Sequence, residues 1–244
     1  MFIESGKELN VVAGGYNFNI TYIDDKPNVH ITLHGDKNIR KAPPLPILHL
    51  PKDCTVSFDY CFEHCQSLVD IENIRDWDTS NSISFHGMFK ECIRLRNIEP
   101  IYKWDTHNVT NMSHMFYGCC ELTIPWGNRL SWNTGNVTNM SYMFYGTILK
   151  SENINWLWDW DLRKLTNIYA MFGYTYARCC IVNMTLPKAV SGQLIYYSSH
   201  TPPKNPVINI NYWVAEGESD EMIRVNNEHP ELPPGLDSWY DVPM

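Results

Sequence analysis

The stretch NVTNMSHMFYG occupies residues 108–118, and NVTNMSYMFYG occupies residues 136–146, identical but for His114 against Tyr142. Near-identity at a separation of 28 residues marks an internal repeat, and working outward from the pair extends it. The Met-Phe dipeptide recurs at Met88, Met115, Met143 and Met171, and Cys61-Phe62 fills the same place one unit earlier, with steps of 27, 27, 28 and 28. Trp77, Trp104, Trp132 and Trp160 form a second column with steps of 27, 28 and 28. Two columns held in one phase make the middle of the chain an array of like units.

Within a unit, Val109, Met112, Met115 and Phe116 recur at three- and four-residue steps, which predicts a short helix with one apolar face. Gly118 is expected to stop it, as the residue that turns the chain there without strain. In CIRLRNIEPI, residues 92–101, every third position is apolar: Cys92, Leu95, Ile98 and Ile101. That spacing is read as a coil strand and its exits. Asp78, Asp105 and Asp161 follow the Trp column, with Asn133 in the third unit, and suit a corner where side-chain oxygens meet free backbone N–H groups. Cys65, Cys92 and Cys119 stand 27 residues apart and predict a column of buried thiols rather than disulfides. The WD dipeptides suggest a propeller, but a four-stranded blade needs about 40–45 residues. A unit of 27 or 28 residues holds one short strand and one short helix or turn, a leucine-rich-repeat type of coil.

The motif W-D-T-x-N-V-T-N-M-S-x-M-F-x-G-C, met almost without departure from Trp104 to Cys119, resembles the BspA-like leucine-rich repeat in its mycoplasma-type lipoprotein variant. The likeness covers roughly residues 50–185. It is looser at SISFHGMF (residues 82–89) and at LTNIYAMFG (165–173). LPKDCTVSFDYCFEHC from Leu50 and LPKAVSGQLIY from Leu186 look like the sister form that opens with Leu-Pro. The resemblance implies a right-handed solenoid with a parallel sheet on one face, and protein–protein or adhesive roles rather than catalysis. Relatives include secreted surface proteins of bacteria and protists and proteins of large DNA viruses.

The expected fold is therefore an α/β solenoid of about five to six coils in three parts. Residues 1–48 form a β-hairpin cap and Pro-rich link, read from the alternation of Tyr16, Phe18, Ile20, Tyr22 and of Val29, Ile31, Leu33. Residues 49–197 form the repeats, and residues 198–244 a strand around Ile208, Ile210, Tyr212 and Val214 followed by an extended acidic, Pro-rich arm.

The chain has 244 residues, 44% hydrophobic and only 19% charged, with a formal net charge of −8. Clustered Lys and Arg are lacking, so nucleic acid is not an expected partner. No apolar run approaches the ~18–20 residues of a membrane span. The N-terminal sequence, with Glu4 early and no uninterrupted apolar core, does not read as a signal peptide, and the chain is expected inside the cell or in a virion. Six Asn-x-Ser/Thr triplets are expected unmodified, four of them at Asn108, Asn111, Asn136 and Asn139 inside the repeat motif.

Chemistry finds little support. Cys54, Cys61, His64 and Cys65 contain a C-x₃-C spacing that zinc could use, but Cys61 and Cys65 already fill packing slots. No catalytic residues, cofactor or metal are expected. The expected function is a non-enzymatic interaction or assembly protein with other proteins as partners. A narrower form makes it a minor, capsid-associated component of a large DNA virus particle. The alternatives are a surface adhesin or receptor-binding protein, and a thiol- or metal-dependent enzyme, with one of Cys119-Cys120 and of Cys179-Cys180 exposed and reactive. Specificity belongs where units differ, which points to Arg94, Arg96, Glu99, Tyr102, Trp126 and Arg129, together with Trp239 and Tyr240 on the C-terminal arm.

Overall fold

The structure is a computed structural model that describes residues 8–13, 16–23, 28–33, 38–45, 54–122, 130–149, 159–172, 176–177, 181–187, 209–215 and 221–225. The first three strands, β1 (Glu8–Ala13), β2 (Tyr16–Ile23) and β3 (Asn28–Leu33), run antiparallel, with Val11 opposite Phe18 and Ile20 opposite Ile31. Ile20 and Ile31 are at most 1% exposed, so the β2/β3 pair buries one face. From β3 onward the pairing turns parallel. Val29 of β3 meets Val56 of β4 (Thr55–Ser57), and β4 continues to β5 (Ser82–Ser84). Beyond β5 the ladder narrows to single parallel bridges, Ser84 to Asn111, Asn111 to Asn139 and Asn139 to Asn167.

Two further sheets keep the same offset. β6 (Ile148–Leu149) pairs in parallel with β7 (Tyr176–Ala177), and β8 (Ile181–Pro187) pairs in parallel with β9 (Asn209–Ala215) from Ile181 opposite Asn209. β10 (Glu221–Val225) lies antiparallel on β9, so part of the stretch read as an extended acidic arm is a strand.

The short helix expected at residues 109–116 is not formed. Consecutive turns take its place. Met115, Tyr117 and Cys119 donate their N–H three residues back, while His114, Phe116 and Gly118 donate to Ser141, Met143 and Tyr145 of the next unit at 2.9, 2.9 and 2.7 Å. An isolated helix of two turns is marginal in water. Alternating turns instead let every second N–H pair across units, which satisfies backbone that is buried on both sides. The geometry depends on two left-handed residues per unit. One column is Tyr60, Gly87, His114, Tyr142 and Ala170, with φ between 51° and 58°. The other is His64, Glu91, Gly118 and Gly146, with φ of 61°, 61°, 69° and 66°. Gly118 is therefore not a helix stop, and its slot accepts His and Glu as well.

Residues 92–101 are likewise turns, ending in a 3-10 turn at Glu99–Ile101, and not a coil strand. A three-residue apolar period is the period of such turns. Cys92, Leu95, Ile98 and Ile101 are all fully buried by it. The parallel ladder passes through residues 82–84, 111, 139 and 167 instead.

Equivalent side chains lie over one another. Phe62, Phe89, Phe116, Phe144 and Phe172 stack at centroid distances of 5.4, 5.7, 5.5 and 5.6 Å. Trp77 stacks on Trp104 at 6.2 Å and Trp132 on Trp160 at 6.0 Å. Each indole of Trp104, Trp132 and Trp160 donates its N–H to a carbonyl of the unit before: Ile74 at 3.0 Å, Ile101 at 2.8 Å and Leu130 at 3.4 Å. Cys92 and Cys119 are buried thiols whose sulfurs reach the Phe62 and Phe89 carbonyls at 3.1 Å.

Candidate interaction surface

The polar half of the motif shapes the turns within units and holds units together. Asp78, Asp105, Asn133 and Asp161 each accept the backbone N–H two residues on, at 3.1–3.2 Å. Asn111, Asn139 and Asn167 do the same at 3.0 Å. These are Asx turns, which need one carboxyl or amide oxygen and no cation. Asn108 and Asn136 donate their amides to Ser80 and His107 carbonyls of the preceding unit at 2.9 and 2.6 Å. Thr106 and Thr134 donate forward to Asn133 and Asp161 carbonyls, and Thr110, Thr138 and Thr166 donate back to Ile83, Thr110 and Thr138. All four asparagines of the repeated triplets thus have structural partners.

What the motif leaves free is its x position, in the serine-x-Met-Phe run. The first left-handed column sits there, with Tyr60 exposed, His114 and Tyr142 half-buried, and Gly87 and Ala170 buried. Tyr60, His114 and Tyr142 occupy that column, and His86 and Tyr169 stand one residue before it in units whose slot holds Gly87 and Ala170. Their rings make one ribbon across the units. Tyr60 meets His86 at 4.7 Å, His86 meets His114 at 5.2 Å, His114 meets Tyr142 at 4.8 Å and Tyr142 meets Tyr169 at 5.4 Å. Tyr117 and Tyr145 flank it, stacked at 4.9 Å, and Tyr117 lies 5.7 Å from His114. The ends are open, with Tyr60 39% and Tyr169 43% exposed, while His86, His114, Tyr117 and Tyr142 are half-buried. Gly87 is required where it stands: a Cβ there would meet two Tyr60 ring atoms at 2.7 Å.

Electrostatically the ribbon has two halves. Toward Tyr60, Lys90 pairs with Glu63 at 2.8 Å and His64 with Glu91 at 2.6 Å. Toward Tyr169 the described ribbon side chains, Tyr142, Tyr145 and Tyr169, are phenols. Burial, with His86 and Lys90 adding repulsion, pushes the His114 pKa down to about 4, so this ring is neutral at pH 7. Burial also raises the Tyr117 and Tyr142 hydroxyls above the usual tyrosine range.

The ribbon holds a serine–histidine contact. His86 Nδ1 lies 2.6 Å from Ser113 Oγ and 2.9 Å from the Ser113 carbonyl, and the Tyr60 hydroxyl lies 2.5 Å from His86 Nε2. With its N–H on Nδ1 the ring donates to Ser113 and accepts from Tyr60 on Nε2. Ser113 is 1% exposed and its hydroxyl also donates to Asn111 at 2.7 Å, so no substrate reaches it. Burial drives the Cys92 and Cys119 thiols well above their ordinary range, which removes the thiolate. Among the described residues no group of three or more His, Cys, Asp or Glu is placed to hold a metal ion.

The side chains singled out from sequence fall elsewhere. Glu99 is bound to Arg75 of the preceding unit, which Glu72 also holds at 2.6 Å. Arg96 pairs with Glu121 of the next unit at 2.5 Å, and Arg94 is exposed. Tyr102 is only 7% exposed and belongs to the core, so it offers a partner no surface. Trp126, Arg129, Trp239 and Tyr240 lie outside the described residues, as do Cys179 and Cys180. Sequence reasoning sought variation between units at residues 94–102, 126 and 129 and passed over the x position, whose run of Tyr, Gly, His, Tyr and Ala was the available signal.

A family model described as "Mycoplasma protein of unknown function, DUF285" matches residues 56–180, just over half of the chain. The chain belongs to the DUF285 family. Comparison with curated proteins and with solved structures returns no match. The DUF285 segment spans the Phe and Trp columns and the ribbon, and begins inside β4. No described helix is long and apolar enough to cross a membrane.

Proposed function

We propose that the DUF285 segment is a BspA-like, leucine-rich-repeat-type solenoid that works as a non-enzymatic binding module, with the aromatic ribbon as its docking face for another protein. The observation that carries this reading is the ribbon itself. Among the described residues the repeated Phe, Trp and Met positions are buried, and the Asp, Asn and Thr side chains of residues 105–111 and 133–139 are hydrogen-bonded to backbone, whereas these rings line up over the units with their ends open. Tyr and His rings combine a large apolar body with a polar tip and lose little conformational freedom on contact, which suits them to interfaces. A role as a minor capsid-associated component is the narrower form of this proposal and rests on the resemblance alone; a surface adhesin uses the same face with an exported chain. The test compares proteins captured by the wild type with those captured by a Tyr142→Ser/Tyr169→Ser variant of equal melting temperature. Loss of a specific partner from the variant supports the reading. Identical capture by both removes the ribbon as the docking face.

A further inference from the structure

The charges around the ribbon select the chemistry of what it binds. At its Tyr60 end stand Asp59, Glu63 and Glu91, with Lys90 tied to Glu63 and His64 set against Glu91. The chain itself supplies an occupant there: Lys90 Nζ lies 6.0 Å from the centroid of the Tyr60 ring. The slot that holds Glu63 and Lys90 in the first two units holds Tyr117 and Tyr145 in the next two. The rings therefore continue where the cation stops, and among the described residues none lies over Tyr117, Tyr142 or Tyr169. The whole chain carries a formal net charge of −8.

We infer that the ribbon docks a basic peptide segment of its partner, arginine in preference to lysine, with guanidinium groups over the Tyr142 and Tyr169 rings and the carboxylates at the Tyr60 end fixing direction. The inference rests on the docking-face reading above. A guanidinium plane stacks on an aromatic face and keeps its N–H groups free for carboxylates, which an ammonium cannot do. An acidic margin repels anionic ligands and speeds encounter with cationic ones. A neutral proline-rich peptide would also find aromatic rings, but it gains nothing from Glu63 and Glu91.

The experiment titrates the full chain with labelled octa-arginine, octa-lysine and a neutral proline-rich peptide at low and physiological salt. The wild type, Tyr142→Ser/Tyr169→Ser and the single variant Tyr169→Ser, at an exposed position, are compared after matching their melting temperatures. Octa-arginine should bind several-fold more tightly than octa-lysine. The double variant should weaken octa-arginine about tenfold, as expected for two cation–π contacts, and change octa-lysine less than twofold. Equal affinity for the two cationic peptides, insensitive to both variants, would show attraction to net charge alone and overturn the inference, as would no binding by either. Ribbon-dependent binding of the proline-rich peptide only would overturn the basic partner while keeping the docking face. If no peptide depends on the ribbon and no captured partner is lost, both readings fall.

Discussion

At the scale of single residues, the repeat shows which side chain each slot prefers and where one departs. Ser82 stands in the slot of Val109, Val137 and Leu165, is fully buried, and its hydroxyl meets no hydrogen-bond partner. Burying an unpaired hydroxyl costs about 1–3 kcal/mol, and valine fills the slot in two neighbouring units. Ser82→Val should therefore stabilise the protein by about 1 kcal/mol in urea denaturation; a lower midpoint would mean that the slot is not shaped like its neighbours. Gly87 makes a second case. Gly87→Ala places a methyl group against the Tyr60 ring, whereas at Gly118 the nearest atom to a new Cβ is 3.4 Å away. Both carry positive φ, so both variants pay the left-handed cost, but only Gly87→Ala should also displace Tyr60 and change its ring signals in NMR. His114 gives the pH dependence. Its pKa is lowered from 6.5 to about 4, first by burial and then by His86 and Lys90. Below pH 6.5 the unfolded chain takes up a proton that the folded chain refuses until about pH 4, so this group makes stability fall across that window as pH drops. His114→Tyr, which copies the slot of Tyr142, should flatten that part of a melting-temperature profile; an unchanged slope would acquit the ring.

At the scale of elements, the columns were legible in the sequence and the backbone path between them was not. Phe and Trp columns declare themselves because a stacked interior demands the same large side chain at one phase, and composition records that directly. The turns do not declare themselves. The spacing of Val109, Met112, Met115 and Phe116 fits a helix as well as it fits turns of three residues, and only the left-handed column at His114 and Tyr142 separates them. Left-handed backbone is readable when glycine marks it, and here Tyr, His, Ala and Glu fill most of those places. Part of the ribbon was missed for the same reason: Tyr60, His114 and Tyr142 sit at that unmarked φ, while His86 and Tyr169 precede it by one residue. What the Trp column contributes can be measured by two substitutions. Trp104→Ala removes a side chain 3% exposed and should cost about 3–5 kcal/mol. Trp104→Phe keeps an apolar ring but leaves the Ile74 carbonyl without its 3.0 Å donor, and should cost distinctly less. Equal losses would assign the whole contribution to the hydrogen bond, and none from either would dissolve the column as a stabilising element.

At the scale of the whole molecule, parallel pairing between units is closed by antiparallel pairing at both sequence extremes described. The offset of 28 residues between β8 and β9 continues the spacing of the units past the end of the DUF285 match at residue 180, and β10 then turns back on β9. At the other end β1, β2 and β3 turn back on one another before β3 meets β4. The physical need is the same in each case. A parallel ladder exposes a row of unpaired backbone groups at its last strand, which invites another chain to add to it. β3 covers that row on β4, and His30 Nε2 lies 2.7 Å from the Asp59 carbonyl, which would otherwise face outward from the first unit. Deleting residues 1–37 should therefore expose the edge of β4, strand the Asp59 carbonyl and uncover the apolar surface that Ile20 and Ile31 share. The shortened chain should sediment as higher oligomers in analytical ultracentrifugation at concentrations where the full chain does not, and the milder His30→Leu should lower stability by about 1–2 kcal/mol without changing association. A shortened chain with the full chain's oligomeric state and melting temperature would mean that the three strands do not cap the units, and that β4 is protected by its own short length.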